Sequence, residues 1–130
     1  MKRGEIYYVF RDEAPTGSEM WAIGRPAVIV SNDRLAETSG VQQVVFLTTQ
    51  PKKEMPTHAS VLSTGRPSMA ICEQITSVSV SRLGEKWGEC TAEEMHAIDC
   101  ALRASLGIAD PPEMDANPRS VQDAYDASGA

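Results

Sequence analysis

The chain is poor in the features that most readily announce a protein's class. Cysteine is scarce: Cys72, Cys90 and Cys100 are the only three in 130 residues, and no two of them form a C-x-x-C pair. An odd number without that spacing argues against a disulfide framework and against a zinc site, and leaves reduced, structural thiols. Apolar runs are all far shorter than a membrane span, and Met1-Lys2-Arg3-Gly4-Glu5 lacks the apolar stretch of a signal peptide, so a cytoplasmic protein with no membrane contact is expected. Basic residues are outnumbered, 12 against 18 acidic, for a net charge of −6. A protein that coats duplex DNA needs a basic face to release counterions, so direct duplex binding is not expected.

The deficit of positive charge is unevenly spread. Asp110, Glu113, Asp115, Asp123 and Asp126 face only Arg119 in residues 109–130, which therefore carry −4 of the total. That segment has three prolines, little apolar content and no period, and reads as an acidic, disordered tail. Residues 1–108 are nearly balanced and, as part of a chain 42% hydrophobic, are long enough for one core, so one domain is expected there. Such a domain can still grip a few nucleotides of single strand through local Arg and Lys.

The domain reads as mostly β. Strands are expected at Glu5 to Phe10, Pro26 to Ser31, Val41 to Thr48, His58 to Leu62, Ser68 to Glu73, Ile75 to Val80 and Lys86 to Glu89, the spacing of a small barrel or strongly curved sheet. Polar loops from Arg11 to Gly24 and from Gln50 to Thr57 flank the first three. One helix follows. Thr91-Ala92-Glu93-Glu94 is a capping box, Met95, Ile98, Leu102 and Leu106 recur on one face, and Gly107 supplies the left-handed stop. That stripe is expected to be core or dimer contact, with His96 facing solvent.

The most informative residue is Arg25, in Gly24-Arg25-Pro26-Ala27-Val28-Ile29-Val30-Ser31-Asn32-Asp33. A strand as apolar as Ala27 to Val30 gains nothing from a leading guanidinium, so a cation there, held by the neighbouring Pro26, suggests an anion such as phosphate. Phe46-Leu47-Thr48-Thr49-Gln50 and Ile71-Cys72-Glu73-Gln74-Ile75 follow it in order. With Lys2-Arg3-Gly4-Glu5-Ile6-Tyr7, Pro15-Thr16-Gly17-Ser18-Glu19, Pro56-Thr57-His58, Ser81-Arg82-Leu83-Gly84-Glu85-Lys86 and Ala104-Ser105-Leu106-Gly107, this series resembles the PemK/MazF-type toxins of toxin-antitoxin systems, from Lys2 to about Ile108.

The resemblance implies an α+β fold, mainly β with a C-terminal helix, as a small SH3-like curved barrel. It implies a homodimeric endoribonuclease that cleaves single-stranded RNA, usually mRNA, at a short sequence, needs no metal or other cofactor, and is neutralised by a cognate antitoxin protein. The family's essential Arg falls on Arg25, its essential Thr on Thr48 and its loop carboxylate on Glu19. Trp21, Gln50, Lys52, Lys53, Glu73 and Gln74 are the candidate RNA-contacting residues.

Those residue types suit metal-free RNA cleavage, in which the 2′-OH attacks the adjacent phosphorus. Arg25 can bind two phosphate oxygens at once, and the Thr48 hydroxyl can donate to the same group. Two carboxylates compete for the role of base, Glu19 on its loop and Glu73 at the end of its strand. Arg25 is also the resemblance-based choice for the acid, although a guanidinium gives up its proton poorly. Structural readings stand beside these. Glu73 is open to pairing with Arg82 or capping by backbone amides, and Lys52 and Lys53 to being a solvated loop pair. His58 is expected to be structural or at the surface. In Met20-Trp21-Ala22-Ile23-Gly24 the loop departs from the family pattern, and Trp21 is open to stacking on a base, taking an apolar anchor from a partner, or tucking against the barrel. A protein-binding toxin of the same fold that poisons gyrase, or a silent relative that binds an antitoxin, are the alternatives, since fold alone does not decide function.

Overall fold

A computed structural model describes residues 1–11, 24–50 and 52–109. The expected loop from Arg11 to Gly24, with Glu19 and Trp21, and the acidic tail beyond Ala109 lie essentially outside those residues. Seven strands and two α-helices follow in the order β1 (Glu5–Phe10), β2 (Gly24–Ile29), α1 (Leu35–Ser39), β3 (Val41–Thr48), β4 (His58–Val61), β5 (Ser68–Ile71), β6 (Thr76–Ser79), β7 (Leu83–Glu89) and α2 (Ala92–Leu106). All seven strands belong to one antiparallel sheet whose path runs β4-β5-β3-β2-β1-β7, with β6 also on β3.

β3 organises the sheet because two neighbours share one of its edges. Val41 to Val44 pair with β6, whereas Leu47 and Thr48 pair with β5. The expected barrel is therefore not closed: no ladder joins β4 to β7, and the path ends at those two strands. The ends nonetheless approach each other. A Cβ built on Gly88 of β7 would stand 3.0 Å from the Ser63 carbonyl oxygen in the turn after β4. Breaks of register between β1 and β7, at Ile6/Tyr7 and Tyr7/Val9, let the sheet bend toward that contact.

The unbroken apolar run Ala27 to Val30 is explained by burial on both faces of the sheet. Val28 and Val30 join Ile6, Val45, Leu47, Val61 and Ile98 of α2 in one core, while Ala27 and Ile29 join Val9, Val44, Val78 and Leu83 in a second. Each fully buried Val or Ile contributes roughly 1.5–3 kcal/mol, so this strand anchors both cores. Gln42 departs from the outward position its polarity suggests, since it is fully buried and takes a hydrogen bond from the Ser31 hydroxyl.

Helix α2 begins as expected. Thr91 Oγ1 accepts from the Glu94 amide at 3.1 Å and Glu94 Oε1 accepts from the Thr91 amide at 2.9 Å, completing the capping box. Gly107, at φ 72°, donates its amide to the Arg103 carbonyl and ends the helix. The buried face is Ile98, Ala101, Leu102 and Ala104. Leu106, expected on that stripe, is instead 55% exposed because burial along the helix stops at Ala104.

Several boundaries differ from those read from sequence. Ser68 to Glu73 divides into β5 and a turn of tighter helix over Cys72–Gln74. β7 starts three residues early because Leu83 pairs with Val9 and joins the second core. α1 was not expected, being too short for a helical period; Asn32 Oδ1 accepts from the Arg34 amide ahead of it, and Gly40, at φ 69°, closes it. β2 starts at Gly24, so Arg25 lies inside the ladder opposite Val9 and not at its mouth. Only glycine fits at 24, since a Cβ there would stand 2.2 Å from the Val9 carbonyl oxygen.

Candidate active site

The site arises where β2 and β3 part. Their ladder pairs Ile29 with Val44, Val28 with Val45 and Ala27 with Phe46, and then stops. Pro26 has no amide proton to extend it. Continued by two residues, the same register would set Arg25 across from Thr48, so these two residues stand at facing positions on strands that have separated. A cavity of about 300 Å³ occupies the opening. Arg25 and Pro26 line it from β2, Leu47 to Gln50 from the end of β3, Thr64 and Arg66 from the β4–β5 connection, Ser68 from the start of β5, and Trp87 from β7.

The cavity is polarised in one direction. Arg25 and Arg66 are its two formal charges among the described residues, and no carboxylate lines it. Arg25 is exposed and its Cζ lies 5.1 Å from the centre of the Phe46 ring, a cation–π contact that braces the side chain without neutralising it. Thr48 Oγ1 accepts from the Gln50 amide at 3.2 Å. That bond uses a lone pair of the hydroxyl and leaves its proton to donate outward. Together they can hold the oxygens of a phosphate, one group by charge and a planar fork, the other by a single directed hydrogen bond.

Gln50 thus joins Arg25 and Thr48 at the cavity, whereas Lys52, Lys53, Glu73 and Gln74 do not line it. The two lysines are exposed on the connection to β4, and Gln74 is exposed beside Glu73. Glu73 accepts from Thr57 Oγ1 at 3.1 Å and from His58 Nε2 at 3.1 Å, not from Arg82, whose Nε donates to the Phe10 carbonyl instead. Burial would raise the Glu73 carboxyl, but its own backbone amide, His58 and Thr57 outweigh burial and hold it below the ordinary carboxylate range. The His58 side chain is largely covered, with Nδ1 2.8 Å from the Lys53 carbonyl oxygen. Cys72 and Cys90 are buried thiols pushed up to about 12 by desolvation, which leaves them inert as nucleophiles.

Arg66 and Trp87 were missed from the sequence. A signal for the first was present: Gly65-Arg66-Pro67 repeats Gly24-Arg25-Pro26, and both arginines reach the same cavity. Trp87 had no such signal, since a lone aromatic in a short strand reads as core.

A curved antiparallel sheet backed by one C-terminal helix, with a cavity lined by two arginines where two strands diverge, defines a small, mainly β protein with a cationic cleft beside its sheet. The chain belongs to the family of PemK-like, MazF-like toxins of type II toxin-antitoxin systems, whose model matches residues 2–106. It is 33% identical over 116 residues to endoribonuclease EndoA of Bacillus subtilis, covering 85% of this chain and 97% of that protein. It is 37% identical over 117 residues to endoribonuclease MazF9 of Mycobacterium tuberculosis, covering 83% and 98%. In fold it is similar to an endoribonuclease solved with its cognate antitoxin from a mycobacterial species, with a TM-score of 0.69, 24% identity, and coverage of 85% of this chain and 99% of that one. These relatives do not favour the gyrase-poison alternative.

Proposed function

We propose that this chain is the endoribonuclease toxin of a toxin-antitoxin pair and cuts single-stranded RNA without a metal at a short recognition sequence. The observation that carries the reading is Arg25 and Thr48 standing at facing positions beside a cavity that no carboxylate of the described residues lines, in a chain of this family. In the reaction, a base takes the 2′ proton, O2′ bonds to phosphorus, and the bond from phosphorus to O5′ breaks as O5′ takes up a proton. The products are a 2′,3′-cyclic phosphate and a 5′-hydroxyl. Arg25 and Thr48 neutralise the charge that grows on the non-bridging oxygens, and removing one such donor costs about a hundred- to a thousandfold in rate.

Glu19 is the base we favour. Glu73 is occupied by Thr57 and His58 and stands outside the cavity lining, and a carboxylate held low makes a weak base. Residues 1–108 constitute the catalytic domain, and 109–130 an appended acidic tail. The cognate antitoxin is a protein that competes with RNA for the cationic cavity, the target is cytoplasmic mRNA, and the working form is a homodimer. Leu106 and Ile108, each more than half exposed at the end of α2, support that assembly.

Incubation with a long single-stranded RNA in EDTA, with mapping of the cut ends, tests the reading. Discrete cuts that leave 5′-hydroxyl ends and vanish in Arg25→Ala and Thr48→Ala are expected. Cutting that needs added metal, or that survives both substitutions, would overturn it.

A further inference from the structure

A half-bare indole stands beside the two guanidiniums. Trp87 is 47% exposed, although it lines the cavity that holds Arg25 and Arg66. One face of its ring is covered by Tyr8, with centroids 5.5 Å apart and planes 25° from parallel. Tyr8 is braced in turn by the edge of Phe10, at 5.3 Å and 76°. The backbone beneath is fixed as well. Gly88 backs onto the Ser63 carbonyl oxygen, and a Cβ on Gly84 would stand 2.5 Å from the Phe10 ring. The strand that carries Trp87 is thus pressed against the connection that carries Arg66.

We propose that Trp87 and Arg66 form a nucleotide subsite of the single-stranded RNA groove, the indole stacking on one base and the guanidinium holding the phosphate next to it. This rests on the ribonuclease reading above. A rigid aromatic with one free face and a cation across a small cavity are the two parts from which single-strand sites are built. Arg66 is exposed and makes no side-chain hydrogen bond or ion pair among the described residues, so its charge is free for an anion. A cavity of about 300 Å³ has room for one nucleotide unit and not for a duplex. The free face of Trp87 accepts any base by stacking, and at the edge of the pocket Thr64 and Ser68, whose hydroxyls donate to the Arg66 carbonyl, keep oxygen lone pairs that can accept from a base.

Two measurements decide the proposal. The first compares cleavage of the mapped RNA by Trp87→Ala, Trp87→Leu and Trp87→Phe. Leu keeps the apolar cover over Tyr8 without a π face, so a merely structural Trp87 predicts near-parental cutting by the Leu variant. Stacking predicts that kcat/KM falls about ten- to a hundredfold for Ala and Leu alike, and is largely retained by Phe. The second follows fluorescence of Trp21→Phe, in which Trp87 is the one remaining tryptophan, on titration with a random-sequence 12-nucleotide RNA that is 2′-O-methylated throughout and so lacks the nucleophile. Quenching that tracks binding of the labelled RNA by anisotropy, and that weakens in Arg66→Ala, supports the subsite. RNA that binds without quenching, RNA that binds neither the Trp21→Phe variant nor the parent, or parental cutting by Trp87→Leu overturns it. Should the protein bind and quench but never cut RNA, the ribonuclease reading falls while the subsite stands.

Discussion

The connection between β4 and β5 has two sides, and their chemistry is opposite. On one side, the Leu62 amide and the Ser63 hydroxyl both donate to Glu94, which also caps α2, so a single carboxylate ties turn and helix together. On the other side, Thr64, Arg66 and Ser68 open onto the cavity with Arg25. Two cations elsewhere in the fold are saturated in the same way. Arg3 binds the Val30 carbonyl and Asp99, and Lys86 reaches Glu5 at 2.6 Å. Arg25 and Arg66, by contrast, have no carboxylate partner among the described residues. The cations that tie the fold together find partners within it, whereas the two that line the cavity do not.

Arg25 is where that contrast breaks most sharply. Arg25→Lys keeps the charge and loses the fork, and is expected to lower the cleavage rate by about a hundredfold or more. Its melting temperature should stay within a few degrees of the parent, because the cation–π contact over Phe46 contributes only about 0.5–1 kcal/mol. Comparing single-turnover rates with thermal melts of the same preparations checks both halves. A large loss of stability would place Arg25 among the structural cations.

Glu94→Ala should give the mirror result. Removing the carboxylate strips the capping box and the turn of hydrogen bonds at once, for a loss of about 2 kcal/mol in urea unfolding, while the folded protein cuts RNA at the parental rate. A drop in cleavage beyond the unfolded fraction would mean that the two sides of the turn are coupled.

Acid is the mildest probe of the saturated side. Glu5 is held below its ordinary value of 4.5, chiefly by Lys86, and Glu94 is held low by Ser63, Thr91 and Leu62 against the opposing effect of burial. Glu73 is depressed in the same sense. A carboxyl whose folded value lies below its unfolded one stabilises the fold at higher pH, and that contribution is lost as the pH falls through the folded value. Urea midpoints should therefore be level from pH 7 to about 5.5 and fall below about 4.5, less steeply in Glu94→Ala. A midpoint that rises on acidification would contradict these assignments.

The two sides also differ in how far they could be read in advance. The capping box was legible because it is local: four consecutive residues carry both donors and both acceptors. β1 and β3 came out at the expected boundaries, their apolar patterns being set by residues within one strand. The cavity was legible only in part. Arg25 and Thr48 were named as a pair through family resemblance, but their facing positions depend on the β2–β3 register and on Pro26 ending that ladder. Glu73 was offered as a base or a partner of Arg82, and only packing brought it to Thr57 and His58. Arg66 and Trp87 went unnamed because they are 21 residues apart in the chain and meet only where the two ends of the sheet approach.

By itself the sequence determined the local and the patterned: strand-forming alternation, a helix with both caps, a two-sided apolar strand, and a family signature ordered along the chain. Those follow from backbone propensity and from which side chains shun water, properties that act over a few residues. The tertiary structure alone decided which end of the sheet opens, which cations stay unpaired, and which aromatic turns a face to the cavity. Each depends on distances between segments far apart in the chain, and those are set by how the sheet bends once both cores are buried.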